Sequence, residues 1–397
     1  MVNLIKIVWL LHISTLVFFM GGMIASPIIS PYALSLGADA VLIGLLSSIS
    51  SAVTIILRPF VGLIVDRGKK FETLILGTLL SCVAAIIYFM SNNVFMFAIG
   101  RIMSGLAAAF FMPASISTAI DLSPSDRIGE TLGWRSTMFG VSQFLGPGVG
   151  GYLADLIGLR YIFIISFFFV FIALILVYYV SRLAPKETIK YSKSSNELKD
   201  IKKLLKVNFI GGMLAVIFHS MAISGVGTFL PAYYVSIGLG ISIYGFYSSI
   251  NGGASIITRA ISGRIADKHG PILVASIGAI TITSGYVILN ISPFPPLAFL
   301  AAILVGIGTG LWVPAIQLLA LGNLPREIRG FGSGIYSIAF DAGFLIGPLM
   351  FGFMISFMGS YSVFLWILPI LTFLAFLTVQ FTGLIMRKTL FQFKKYT

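Results

Sequence analysis

The sequence predicts an all-α membrane protein of twelve transmembrane helices arranged as two parallel six-helix repeats. Three observations carry this. Of the 397 residues, 58% are hydrophobic and only 10% charged, whereas a soluble domain carries about 25% charged residues. The apolar residues gather into twelve segments, each near the roughly 20 residues that cross a bilayer core. The second half of the chain also repeats the first.

The segments run near 7–33, 41–65, 71–90, 94–120, 134–156 and 160–181, then 207–235, 242–265, 272–291, 297–321, 335–357 and 361–386. The first, with Lys6 ahead of a long apolar run, superficially resembles a signal peptide. Its counterpart in mid-chain makes it a retained span. Connections are short except from Arg182 to Lys206, which holds KETIKYSKSSNELKDIKKLLK. The expected organisation is an N-terminal six-helix bundle (1–181), a cytoplasmic basic linker (182–206) and a C-terminal six-helix bundle (207–397). Leu198, Ile201, Leu204 and Leu205 stand among lysines in the linker. They suit an amphipathic helix on the inner leaflet or a plain solvated connection.

The formal net charge is +13, and its distribution says why. Lys6, Arg67, Lys69, Lys70, Arg127, Lys268, Arg326 and Arg329 lie in alternate connections, with further basic residues in the linker and the tail. The opposite connections hold Arg160 alone. Basic residues accumulate on the cytoplasmic side, so both termini are expected in the cytoplasm of a multi-pass plasma-membrane protein. The charge is a topology signal, not a nucleic-acid footprint. One cysteine (Cys82) and three histidines (His12, His219 and His269) leave neither a disulfide framework nor a local zinc cluster. No metal or cofactor is expected.

Shifting the chain by 201 residues superposes Gly37 on Gly238, Gly44 on Gly245, Ser48 on Ser249, Arg58 on Arg259 and Gly62 on Gly263. It also pairs Asp66 with Asp267, Gly105 with Gly306, Pro113 with Pro314, Gly146-Pro147 with Gly347-Pro348 and Gly151 with Gly352. Shared hydrophobicity does not align Gly, Pro, Arg and Asp together. Six spans per half bring both halves into the membrane from the same side. In transporters built from such repeats the substrate site lies near mid-membrane at the repeat interface.

Between spans 2 and 3 the chain reads Gly62-Leu63-Ile64-Val65-Asp66-Arg67-Gly68-Lys69-Lys70. Between spans 8 and 9 it reads Gly263-Arg264-Ile265-Ala266-Asp267-Lys268-His269-Gly270. A tight cytoplasmic hairpin suits both. Gly62 and Gly263 would permit close helix approach, and each Asp would face the positive N-terminus of a neighbouring helix. The simpler reading is a basic inner turn with an incidental Asp. Span 4 carries Arg101-Ile102-Met103-Ser104-Gly105, and span 5 carries Gly146-Pro147-Gly148-Val149-Gly150-Gly151. The counterpart in span 11 is Gly343-x-x-x-Gly347-Pro348. Small residues let backbones touch there, and proline disturbs the local hydrogen bonding. Arg101 lies about 10 Å inside its span at 1.5 Å per residue, where charge is costly unless it snorkels or faces a wet cavity.

These elements resemble the major facilitator superfamily across essentially the whole chain, in the paired loop signature, the span 4 arginine and the span 5 GP-x-x-GG. The resemblance implies a loop latch and a charge relay of Asp66, Arg67 and Asp121 at the inner gate. In the second half Gly322 replaces Asp121, so the relay is one-sided, and Asp121 can also be read as a span-end residue reaching water. It links Arg101 to substrate or proton handling, with a structural hydrogen bond to neighbouring helices as the alternative. The span 5 element is associated with exporters and drug/proton antiporters. Asp341, the one carboxylate placed well inside a span, suits proton coupling because desolvation favours its protonated form. It reads otherwise as a buried acid bonded to a polar neighbour. His219, near the middle of span 7, can titrate or simply pack. Span 1, from Ile7 to Ala33, lacks the acidic residue that many such exporters carry there.

The leading expectation is a secondary active transporter working by rocker-switch alternating access, with proton-coupled efflux of small amphipathic compounds. The alternative is an uptake carrier for a sugar, organic acid or other small metabolite, with Gln143, Asn251, Gln317 and Trp312 as candidate contacts. An enzyme would need convergent nucleophile, base or metal groups, which this chain does not readily assemble. A receptor of this fold would usually gain a larger soluble segment. The expected partners are the lipid bilayer, a small-molecule substrate and protons as the candidate coupling ion. The chain is expected to work as a monomer.

Overall fold

The computed structural model describes residues 4–124, 127–184, 206–322, 324 and 329–394. Every regular element among them is a helix. The first span is α1 (Leu4–Ala25), a 3-10 turn (Ser26–Ile28) and α2 (Ile29–Ser35). It breaks at Ser26-Pro27, because proline has no N–H for the helical ladder, and the Ser26 hydroxyl donates to the Met23 carbonyl at 2.8 Å. Then come α3 (Ala40–Asp66), α4 (Lys70–Met90), α5 (Val94–Leu122), α6 (Ile128–Ile157) and α7 (Leu159–Leu183). The later elements are α8 (Val207–Ser236), α9 (Ile241–His269), α10 (Pro271–Ile291), α11 (Leu297–Leu321), α12 (Arg329–Met358) and α13 (Val363–Lys394). With α1 and α2 taken as one span, this makes the twelve expected. Ten are long and apolar enough to cross a membrane; α6 and α9 are equally long but richer in glycine and polar residues. Residues 185–205, which hold the expected amphipathic stretch of the linker, lie outside the described residues, as do Arg326 and Lys395.

Side-chain caps set several helix starts. The Leu42 N–H donates to Asp39 Oδ1 at 2.8 Å to open α3, and the Met96 N–H donates to Asn93 Oδ1 at 2.8 Å to open α5. Each satisfies a donor that the first helical turn otherwise leaves unpaired.

The chain divides into two compact units, one of Met1–Lys193 with Gly227–Ser249 and the other of Ser194–Val226 with Ile250–Thr397. In the first, α1 packs on α6 and α7, α3 on α5, and α4 on α5 and α7. Its core includes Leu11, Phe18, Phe111, Val170 and Val177, with the Phe18 and Phe111 rings stacked at 3.5 Å between centroids. In the second unit α10 packs on α11 and α13, the repeat equivalents of α4 against α5 and α7. The equivalence reaches single atoms. A Cβ on Gly77 would lie 2.6 Å from the Phe111 backbone nitrogen, and one on Gly278, 201 residues later, 2.9 Å from that of Trp312. Exposed side chains such as Phe95, Phe168, Ile257, Phe357 and Trp366 present the apolar exterior that a bilayer requires.

Candidate functional site

The α3–α4 turn is built differently from the sequence expectation. An added Cβ on Gly62 or Gly263 meets nothing within 4 Å, so neither glycine serves close helix approach. The glycines the turns require are Gly68 and Gly270, each at φ 87°, a left-handed backbone that side chains resist. Asp66, Arg67 and Asp267 are exposed. Among the described residues no hydrogen bond or ion pair joins Asp66 or Asp267 to a helix N-terminus, or Asp66 or Arg67 to Asp121. The expected relay is replaced by another pair: Lys70, the buried first residue of α4, donates from Nζ to Asp121 Oδ2 at the end of α5. A buried ammonium needs a partner, and Asp121 supplies it. In the second half Pro271 and Gly322 stand at these two positions, so both members of the pair vanish together.

Arg101 is held by α3. Its Nε donates to the Leu46 carbonyl at 2.9 Å and its Nη2 to the Ser47 carbonyl at 3.1 Å. The structural hydrogen bonds weighed as an alternative are therefore present. Ser104, one turn on, links the same region: the Tyr88 hydroxyl donates to Ser104 Oγ at 2.9 Å, and Ser50 Oγ lies 3.3 Å from it.

Arg135 escaped selection in the sequence because no motif surrounds it. It is buried in α6, where Nε donates to Ser115 Oγ at 2.8 Å and Nη2 approaches Met112 Sδ at 3.7 Å. His12 is buried in α1, with its ring against Trp9, which in turn packs on Trp134.

The span 5 element packs α6 onto α1. A Cβ on Gly146 would lie 2.5 Å from that of Met23, and one on Gly150 would collide with the Ile24 carbonyl. In the second unit Gly343 and Gly347 meet α8 in the same manner, with the Ile217 and Met221 carbonyls each 2.7 Å from an added Cβ. Gly151 lies against α9, where its Cβ would sit 3.1 Å from Gly245 Cα, while a Cβ on Gly245 would sit 2.5 Å from the Pro147 carbonyl oxygen. The Gly148 N–H donates to Ser249 Oγ at 2.8 Å.

Asp155, at the end of α6, was also missed. Its Oδ1 accepts from the Ile241 N–H and its Oδ2 from the Ser242 N–H, both at 2.9 Å. It thereby caps α9, whose preceding residue, Gly240, has no side chain to do so. In the second unit His219 is buried with its ring 5.4 Å from that of Trp312. Asp341 lies half-buried in α12.

The sequence profile of the Major Facilitator Superfamily matches residues 11–348. An uncharacterized MFS-type transporter of Methanocaldococcus jannaschii is 27% identical over 365 residues, which span 89% of this chain and 92% of that protein. The multidrug resistance protein MdtG of Salmonella choleraesuis is 26% identical over 316 residues, 77% of either chain. Among solved structures, a bacterial homolog of the human lysosomal transporter Spinster matches with TM-score 0.78 at 15% identity, over 96% of this chain and 98% of that one. A bacterial homologue of the iron transporter ferroportin matches with TM-score 0.77 at 14% identity, over 96% and 99%. These two likenesses concern the fold. The chain is a multi-pass membrane transporter and belongs to the major facilitator superfamily.

Proposed function

We propose that this transporter exports small amphipathic compounds across the plasma membrane by proton antiport. The observation that carries this reading is the similarity to MdtG, a protein named for multidrug resistance. The span 5 element supports it, since Gly146 and Gly150 are spent on close contact with α1. In this reading transport works by rocker-switch alternating access of the halves 1–181 and 207–397, with the cytoplasmic linker 182–206 connecting them in the chain. Both termini are cytoplasmic, the monomer is the working unit, and the substrate leaves chemically unchanged.

Asp341 is the proposed proton carrier. It lies half-buried in α12, and the first span has no acid to take the task. His219, buried against Trp312, is the second candidate. At the cytoplasmic end, Asp66, Arg67 and Asp267 form the exposed part of the gate motif. The Lys70–Asp121 pair holds α4 to α5 beside the first copy.

The test uses proteoliposomes enclosing a pH-sensitive dye, with a proton gradient imposed before lipophilic cations, organic acids or sugars are added. We expect proton movement with amphipathic compounds and its loss in Asp341→Asn. Movement that persists in the variant would remove Asp341 from the coupling role. A response to sugars alone would replace efflux with metabolite uptake.

A further inference from the structure

We propose that the first unit contains an anion-binding pocket at Arg101, fitted to a small organic carboxylate. The pocket is a partly open cavity of about 240 Å³ between the first span (α1, the 3-10 turn and α2), α3, α4, α5 and α7, and its lining includes Arg101, Tyr88, Ser26, Ser50, Ser81 and Ser104. No carboxylate lines it. A guanidinium has donors and no acceptor, and the two hydrogen bonds of Arg101 go to neutral backbone carbonyls. The cavity thus carries an uncompensated positive charge within a membrane-spanning bundle, where uncompensated charge is costly. An anion removes that cost.

The donors say which kind of anion. Ser26 spends its proton on the Met23 carbonyl, Tyr88 donates to Ser104, and Ser104 donates to the Arg101 carbonyl at 2.9 Å. Among the described residues, Arg101 Nη1 and the Ser81 hydroxyl make no hydrogen bond. The pocket therefore offers a planar guanidinium edge from α5 and a hydroxyl from α4. Two separated donors suit the two oxygens of a carboxylate, and the volume exceeds that of one water-sized ion, about 30 Å³. The remaining lining is mostly apolar, formed by Gly22, Ala25, Ile29, Ala84 and Ala85, with Ser166 spending its proton on the Gly21 carbonyl at 2.8 Å, which leaves space for a short alkyl tail. The inference holds for export or import and with or without proton coupling.

The experiment follows thermal unfolding of the purified full-length chain in detergent by tryptophan fluorescence. Sodium acetate is titrated against sodium chloride at constant pH and ionic strength. The expected result is a saturable rise in unfolding temperature with acetate, roughly 2 °C at ten times its Kd, and no comparable rise with chloride. The rise should vanish in Arg101→Gln, which removes the charge, and in Ser81→Leu, which fills the cavity and keeps the charge. If Arg101→Gln does not fold, Ser81→Leu decides. The proposal is overturned if wild type shows no saturable acetate effect, if chloride matches acetate, or if Ser81→Leu responds like wild type. Because binding rather than flux is read, failure here leaves the antiport reading untouched.

Discussion

Gly105 of α5 has no room for a side chain: an added Cβ would lie 2.5 Å from the Ser50 carbonyl oxygen of α3. In the second unit Gly306 meets the carbonyl of Asn251 in the same way, and both residues are displaced by 201. The repeat seen in the sequence is therefore a repeat of backbone contacts. Helices in lipid gain no hydrophobic drive from packing together, so close backbone approach through small residues becomes a main source of cohesion.

The glycines should separate by substitution. Gly105→Val and Gly306→Val are expected to lower stability by about 1–3 kcal/mol, the usual cost of overpacking. Gly62→Ala and Gly263→Ala, with open space around the new methyl, should be neutral or stabilise by up to about 1 kcal/mol. Gly68→Ala should cost about 1–2 kcal/mol through its left-handed backbone. Melting of the purified variants measures all five, and a Gly62→Ala loss as large as that of Gly105→Val would refute this assignment.

Removing one member of the Lys70–Asp121 pair leaves the other without its partner. Asp121→Asn should destabilise by about 3 kcal/mol, near the lower end for breaking a buried pair, because Asp121 is 21% exposed. Asp66→Asn should fall within about 0.5 kcal/mol of wild type, as for surface substitutions. A double-mutant cycle with Lys70→Met should give a coupling of about 0.5–3 kcal/mol. Additive single effects would show that the pair does not act as a unit.

The N-terminal cap of the second span of each half passes from Asp39 to Asp155 between the repeats. In the first half Asp39 caps α3 from its own N-cap position; in the second, Gly240 occupies the equivalent place and Asp155 reaches across from α6. Asp155→Ala should cost about 0.5–2 kcal/mol, as loss of a helix cap does. Gly240→Asp, which would put its Cβ 2.6 Å from Asp155 Oδ2, should destabilise wild type and partly rescue Asp155→Ala. Hydrogen exchange at Ile241 and Ser242 should rise in Asp155→Ala alone.

Arg135 tests whether a buried guanidinium is held by neutral partners. Ser115→Ala removes the 2.8 Å hydrogen bond to its Nε and should lower stability by about 1.5–3 kcal/mol, the range for bonds to charged groups. In an Arg135→Met background the same serine change should cost less than about 1 kcal/mol. Equal losses in both backgrounds would place the serine's contribution elsewhere.

Composition alone determined that this chain lives in a bilayer, because so few charged residues cannot cover a water-soluble surface. Hydrophobic run length determined the number of spans, and the 201-residue shift determined that they form two related sets. Gly146 and Gly150 were legible as contact glycines because the span 5 motif marked both, and the repeat marked Gly146 a second time. Gly62 looked the same in sequence and makes no such contact. Spacing along one helix does not say which face meets a neighbour, and in a chain this apolar no hydrophobic stripe fixes helix rotation. The same limit hid Lys70 as the partner of Asp121, Asp155 as the cap of α9, and Ser115 as the support of Arg135. Each joins residues on different helices, and only packing those helices brings charge to counter-charge or carboxylate to free N–H.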